Sequence, residues 1–300
     1  MKKRLNLKAE TLCDYKVSSK MKKIWQAEMD IYEEFERVCK KHNLKYIFCD
    51  GSLLGAIRHK GFIPWDDDID VMMTREEYNK LVKIADKEFK EPFFFQTTLN
   101  DDVFRGHAQV RDSRTTAIMY TEFSKNANQG IFIDIFVADK VPENKILRRI
   151  HRRRVRICKP LLRYPRVYEC KENPNMKDRT IKFILDIFFG IVGYDRFFKH
   201  YEKLCAKYNK TDSKICNTIE WAYNFREIRY EHLIDIKNYP FEYLSVPGPV
   251  KAEEFLTDFF GDWKEYVIGT GEHGETFFDP DNSYKKYQKM SLKEIRKLDK

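Results

Sequence analysis

The chain has no long apolar run. Across its 300 residues no uncharged stretch approaches the roughly 18 apolar positions that a membrane-spanning helix needs, and the mean hydropathy of −0.63 excludes an integral membrane bundle. Glycine (12) and proline (10) are too sparse for a collagen-like or low-complexity chain. The seven cysteines, at 13, 39, 49, 158, 170, 205 and 216, are odd in number and include no Cys-x-x-Cys pair. Neither a disulfide framework nor a standard zinc finger is suggested, and reduced thiols are expected. The opening MKKRLNLKAETLCDYK is basic, but no apolar segment follows it. A secretory signal is therefore not expected, and a cytoplasmic location is.

What the chain does contain is material for a core. Hydrophobic residues are 42% and aromatics 15%, which argues against disorder. The net charge of +9 is unevenly spread. Between Asn144 and Tyr168 there are ten Lys/Arg and no acid, which leaves the rest at about −1. A near-neutral body with one basic segment fits a local anionic contact better than a nucleic-acid coat.

The periodicity predicts a helical stretch that Ser19 precedes and that runs to about His42, with Ile24, Ala27, Ile31, Phe35 and Val38 on one buried face. KYIFC (45–49) reads as a buried strand. Gly51-Ser52 ends it, and LLGAIRH then suits a short helix. Ile69–Met73 reads as a strand, and Thr74-x-x-Glu77 fits a capping box for a helix from Arg75 to about Phe89. FFFQTT (93–98), HAQVRD (107–112), TTAIMY (115–120) and GIFIDIFVA (130–138) are further strand candidates. Beyond Pro142 the pattern is mainly helical. The apolar piece 183–194 is read as a core helix, with an interfacial membrane helix as the alternative. The fold class is α+β, a mixed sheet followed by a mainly helical C-terminal half. The whole chain, 1–300, is read as one domain with its catalytic core at about 19–142 and a helical part at about 143–300.

The densest chemical signal is CDGSLLGAIRHKGFIPWDDDIDVMM (49–73). Asp66, Asp67, Asp68 and Asp70 repel one another unless a cation sits among them. On a strand Asp68 and Asp70 face the same way, with Ile69 behind them, so both can hold one divalent ion through hard oxygens. A solvated acidic turn would not explain the apolar alternation. An EF-hand loop from Asp66 would need glycine where Val71 stands. The Asp-x-Asp of a glycosyltransferase keeps the metal but leaves Gly51-Ser52 without a role, whereas a strand that ends in Gly-Ser and opens a helix lets backbone amides approach a phosphate. Asp134, within Phe132-Ile-Asp-Ile-Phe136, is placed to supply a third carboxylate; a strand-end aspartate or a structural salt bridge is the alternative.

With these residues in hand, 46–81 resembles the LicD family, which transfers phosphocholine and related phospho-alcohols from CDP-linked donors to glycans. VRDSRTT (110–116), IFIDIFVADKVPEN (131–144) and YLSVPGPVKAEEFLTDFFGDW (243–263) resemble it too. The resemblance extends to fukutin-related proteins and implies a polymerase-β-like nucleotidyltransferase core. It implies that Asp68 and Asp70 are the paired metal-binding carboxylates. Asp134 would be the third acid, as ligand or general base, and Gly51 and Ser52 the phosphate-binding turn. Ala138 stands where the family more often has Leu, and the zinc-binding cysteines of animal relatives have no counterpart, so no zinc is expected.

The implied reaction is metal-dependent phosphoryl transfer with Mg²⁺ or Mn²⁺. An acceptor hydroxyl attacks the phosphorus that bears the alcohol, and CMP leaves. Arg58, His59, Lys60 and Arg111 are candidate phosphate partners, with solvated surface cations as the alternative. Trp65 is a candidate for stacking on the base or for core packing. The implied partners are a CDP-linked alcohol and a glycan or lipid-linked glycan acceptor. No nucleic acid is expected. The basic segment 145–166 has Arg148, Arg149, Arg152, Arg153 and Arg156 at helical spacing. It is read as a contact for an anionic membrane, which would make the protein peripheral on the inner face, or as a solvated helix face, or as an RNA contact. A nucleotide-sugar glycosyltransferase and a non-catalytic membrane- or polyanion-binding protein remain the competing functions.

Overall fold

Ser18, one residue earlier than the expected Ser19, caps the first long helix, α1 (Ser19–Lys41), its hydroxyl accepting from the Met21 N–H at 3.0 Å. In the computed structural model, which describes residues 4–171, 173–218, 227–268 and 276–299, all five positions of the apolar stripe are buried. A short β-hairpin, β1 (Glu10–Leu12) and β2 (Tyr15–Val17), precedes α1. After it come β3 (Ile47–Phe48), α2 (Asp50–Arg58), β4 (Asp70–Thr74) and α3 (Arg75–Glu88). The Thr74 hydroxyl caps α3 as the sequence predicts. The Glu77 carboxylate does not close a reciprocal box; it accepts from the Lys45 N–H at 3.0 Å and so ties α3 to the approach of β3.

The next strands are β5 (Phe93–Gln96), β6 (Ala108–Asp112), β7 (Thr116–Met119) and β8 (Ile131–Lys140). Beyond Val141 the helical expectation holds through α4 (Lys145–Glu169), α5 (Met176–Val192) and α6 (Tyr194–Cys205). Past these the chain returns to sheet. β9 (Ile215–Thr218) and β10 (Ile228–Arg229) extend the main sheet, and β11 (Ile236–Phe241) pairs with β12 (Leu244–Pro249). Then follow α7 (Ala252–Phe260), β13 (Thr276–Asp279), paired with β7, and α8 (Leu292–Leu298). The fold is α+β with a mixed sheet and, among the described residues, eight α-helices. No helix of the described residues is long and apolar enough to cross a membrane.

The seven-stranded main sheet is organised around β8. β4 runs parallel to it, while β6 and β9 take its residues 131–135 and 138–140 in antiparallel pairing. The parallel register sets Asp70 opposite Asp134, and the Asp134 N–H donates to the Ile69 carbonyl at 2.9 Å. A slip of one residue would turn the Asp134 side chain to the other face, so the buried Ile133, Ile135 and Val137 that fix the register also place the acid. α1 lies across β8 and β6. Its Trp25, Tyr32 and Phe35 enter the main core with Phe48 and Phe241. A second core forms where Val155 and Leu162 of α4 meet Phe198 and Tyr201 of α6.

One expectation is corrected here. α5 is not a core helix: among its apolar residues only Leu185 is buried, and Phe183, Ile184, Ile187 and Ile191 are exposed. Its composition is core-like, but the helix packs by a single edge against α4 and α6.

Candidate active site

Three carboxylates converge at the β4–β8 pair. Single oxygens of Asp68, Asp70 and Asp134 all lie within 4.8 Å of one another, and Asp66, Asp67 and Asp68 form a second such group beside them. Asp70 and Asp134 are buried, whereas Asp68 is half-buried. Asp70 Oδ1 is buried without a hydrogen-bond partner. Burial, and after it the charges of Asp68, Asp50, Asp134 and Asp66, pushes the Asp70 carboxyl well above the usual range.

Asp134 differs in having donors. His107 Nε2 lies 2.8 Å from its Oδ1, and Gln109 Nε2 donates to the same oxygen at 2.7 Å. Burial works to raise this carboxyl, but His107, Arg105 and Gln109 outweigh it and hold the group well below its ordinary range. His107 sits just before β6 and Gln109 on it, and the β6–β8 register puts Gln109 directly opposite Asp134.

A fourth acid comes from α1. Glu28 is 1% exposed, and its Oε2 is buried without a partner. Burial and the charges of Asp68, Asp67, Asp66 and Asp134 raise its carboxyl well above normal. One turn earlier, Trp25 Nε1 donates to the Asp66 carbonyl at 2.8 Å, so α1 holds the acidic loop and delivers Glu28 to it. Glu28, His107 and Gln109 do not figure in the sequence reading. For Glu28 a signal existed: it stands four residues after Ile24 and three before Ile31, so it falls on the buried stripe of α1.

Several anticipated contacts take a different form. Gly51 and Ser52 lie in the first turn of α2, with Cys49 as the cap. Ser52 is buried, and its hydroxyl accepts from the Asp70 N–H at 2.7 Å, so it fixes the Asp-x-Asp backbone. A Cβ at Gly51 would run into the Asp66 carboxylate, so glycine here admits the acidic loop. Arg111 does not face the carboxylates. It is buried, donates to the Gln96 side chain, the Gly130 carbonyl and Gln109 Oε1, and supports the site from beneath by orienting Gln109. Burial, with Arg105 next, pulls its guanidinium down to about 9.

Arg58, His59 and Trp65 gather at the other end of α2. Arg58 donates to the Trp263 and Glu265 carbonyls at 2.8 and 3.1 Å, and to His59 at 3.0 Å, and its guanidinium lies over the Tyr266 ring. Burial, with Arg58 next, lowers His59 to about 4, so the ring is neutral at pH 7. Trp65 is half-buried and meets Tyr15, His59 and Tyr266 edge-on. Lys60 is exposed, and its carbonyl accepts from the Glu242 N–H.

Converging acids with two buried oxygens left unpaired, Asp70 Oδ1 and Glu28 Oε2, could hold a divalent cation. The ligand atoms are hard oxygens, and Asp68, Asp70 and Asp134 suffice as protein ligands for a Mg²⁺-like ion that keeps some of its water. A carboxylate cluster at a parallel strand pair, with a helix N-terminus beside it, could hold a divalent ion next to an anionic group. Residues 43–165 match the family described as LicD/FKTN/FKRP, nucleotidyltransferase domain. Over 124 residues it is 39% identical to the lipopolysaccharide cholinephosphotransferase LicD of Haemophilus influenzae, covering 40% of this chain and 44% of that protein. Over 141 residues it is 30% identical to an uncharacterized protein of Rickettsia prowazekii, covering 47% and 48%. The matches thus span about half the length of these relatives.

Proposed function

We propose that this protein is a divalent-metal-dependent transferase with a polymerase-β-like nucleotidyltransferase core. It moves a phospho-alcohol, phosphocholine first among them, from a CDP-linked donor to a hydroxyl of a glycan or lipid-linked glycan. The observation that carries this reading is the convergence of Asp68, Asp70 and Asp134, with an unpaired Asp70 oxygen, inside the segment that matches the LicD family. The similarity to a lipopolysaccharide cholinephosphotransferase supports the substrate class.

Bound Mg²⁺ or Mn²⁺ would offset the charge that builds on the donor pyrophosphate as its P–O bond breaks. The residues of this chain do the rest. Asp68, Asp70 and Asp134 hold the ion. His107 and Gln109 fix the Asp134 carboxylate by its Oδ1, and Ser52 fixes the Asp-x-Asp backbone. The acceptor oxygen forms a bond to the phosphorus bearing the alcohol, the bond to CMP breaks, and the hydroxyl proton passes to a carboxylate of the cluster. Arg58, His59, Lys60 and Trp65 are proposed to meet the donor's anionic or nucleoside part.

The test is thermal stability with Mg²⁺ against CDP-choline, CDP-ribitol, CDP-glycerol, CMP, UDP-glucose and GDP-mannose. A ligand at about a hundred times its Kd adds about 2.7 kcal/mol. Stabilisation by one CDP-alcohol that needs the metal and vanishes in Asp68→Asn is the expected result. Stabilisation by a UDP- or GDP-sugar alone would replace this reading with a glycosyltransferase.

A further inference from the structure

Away from the carboxylates, the least explained surface lies on α4 and α5. On α5, Phe183, Ile184, Ile187 and Ile191 are 50–79% exposed, and Met176 joins them at 77%. At 100° per residue they share one sector about 100° wide along the whole helix. On α4, Ile146, Ile150 and Ile157 are exposed by 72%, 45% and 67%. They share a sector about 40° wide. The inward sides do the packing, through Val155 and Leu162 of α4 and Leu185 of α5. The two helices lie against each other, and the Tyr164 hydroxyl donates to Asp178. Single exposed apolar side chains are ordinary, but two adjoining helices with apolar stripes are not.

The charge beside the stripes is of one sign. Arg149, Arg153 and Arg154 are exposed and have no carboxylate partner among the described residues. Two cations of the basic segment serve the fold instead: Arg148 is buried against Glu227, and Arg166 pairs with Asp102. Arg148 is therefore not part of the arginine face that the helical spacing suggests. The acids of α5 are spent locally, Asp178 on Lys171 and Asp186 on Lys182.

We propose that the α4–α5 face docks on an anionic membrane surface. The aliphatic stripes enter the headgroup boundary, and Arg149, Arg153 and Arg154 meet lipid phosphates. A cationic band beside an apolar stripe complements an anionic lipid surface on both counts, whereas an RNA backbone has no use for exposed Phe183, Ile187 and Ile191. The inference is independent of the reading of the active site.

The test is co-sedimentation of the full chain with vesicles of phosphatidylcholine alone and of phosphatidylcholine containing phosphatidylglycerol. The wild type is expected to pellet with the anionic vesicles and to stay in solution with the neutral ones, a comparison that needs no variant. Replacing Arg149, Arg153 and Arg154 by Gln is expected to weaken partitioning on the order of a hundredfold, about fivefold per charge. Ile187→Ser with Ile191→Ser is expected to weaken it about tenfold or more, with an unchanged melting temperature because both side chains are exposed. A wild type that ignores anionic vesicles overturns the proposal. So does a serine variant that binds as well as the wild type, the mark of a purely ionic surface for a polyanion such as RNA. A chain that dimerises through these stripes and does not bind vesicles overturns it as well.

Discussion

β8 carries two buried aspartates five residues apart, and the two ends of this strand have opposite electrostatics. Asp139 receives two bonds from the Arg75 guanidinium at 2.7 and 2.9 Å and a third from the Asn209 side-chain amide, while Arg75 also reaches Glu202 on α6. Asp134 faces the other side of the strand, among Asp70, Asp68 and Glu28, where two buried oxygens have no partner. A buried carboxylate with a full set of donors holds elements together. A group of carboxylates with unpartnered buried oxygens carries repulsion that a bound cation or a bound proton relieves. The same residue type is structural at one end and a candidate ligand at the other: Asp139 meets an arginine, whereas Asp134, held by His107 and Gln109, stands among acids with unpartnered oxygens.

Substitutions that remove one charge at each end should therefore have opposite consequences. Asp70→Asn is expected to lower transfer by about a thousandfold or more, since several kcal/mol of charge stabilisation are lost with the ion. The metal-free melting temperature should stay equal or rise as repulsion falls. Steady-state kinetics beside a melting curve checks this, and a variant that is active or clearly destabilised would break the contrast. Asp139→Asn is expected to do the reverse. It strands Arg75 and costs about 3 kcal/mol, the low end for a broken buried pair because Glu202 remains. Denaturant unfolding measures the loss, and turnover per folded molecule should hold.

Glu28→Gln sharpens the comparison. It is expected to raise the metal concentration for half-maximal activity by about 10- to 100-fold, as loss of a supporting group around an ion typically does. The fold should be retained, and Mg²⁺ titration of activity is the measurement. The smallest effect belongs to Glu88, a half-buried acid with donors at the end of α3. Lys41 and then His42 hold its carboxyl at about 2 against an ordinary 4.5. A depressed folded value means stability that is present above pH 4.5 and lost as pH falls from there toward 2. The stability advantage of wild type over Glu88→Gln should shrink across that window in pH-dependent melting curves.

Much of this was legible in the sequence where a local rule governs. The α1 stripe, the Thr74 cap and the apolar alternation of β4 and β8 each rest on neighbours a few residues away, so the elements and the Asp68–Asp70 pair followed directly. What was not legible depends on partners far along the chain. Glu28 meets acids some 40 residues later, and no periodicity announces that its stripe faces a polar pocket. Arg111 read as a phosphate partner, but it is buried and spends its donors on Gln96, Gly130 and Gln109, partners that no local pattern announces. The apolar composition of α5 fits a core or an interface equally, and only the absence of a covering element among the described residues distinguishes them. β7 was visible as a strand, but its pairing with β13, over 150 residues away, was not.

The most direct test of the central claim is divalent-ion binding, followed by calorimetric titration of Mn²⁺ into wild type, Asp70→Asn and Asp139→Asn. The account predicts saturable binding with a matching rise in melting temperature for wild type and for folded Asp139→Asn, and none for Asp70→Asn. Equal binding by Asp70→Asn, or no binding by a folded wild type, would contradict it.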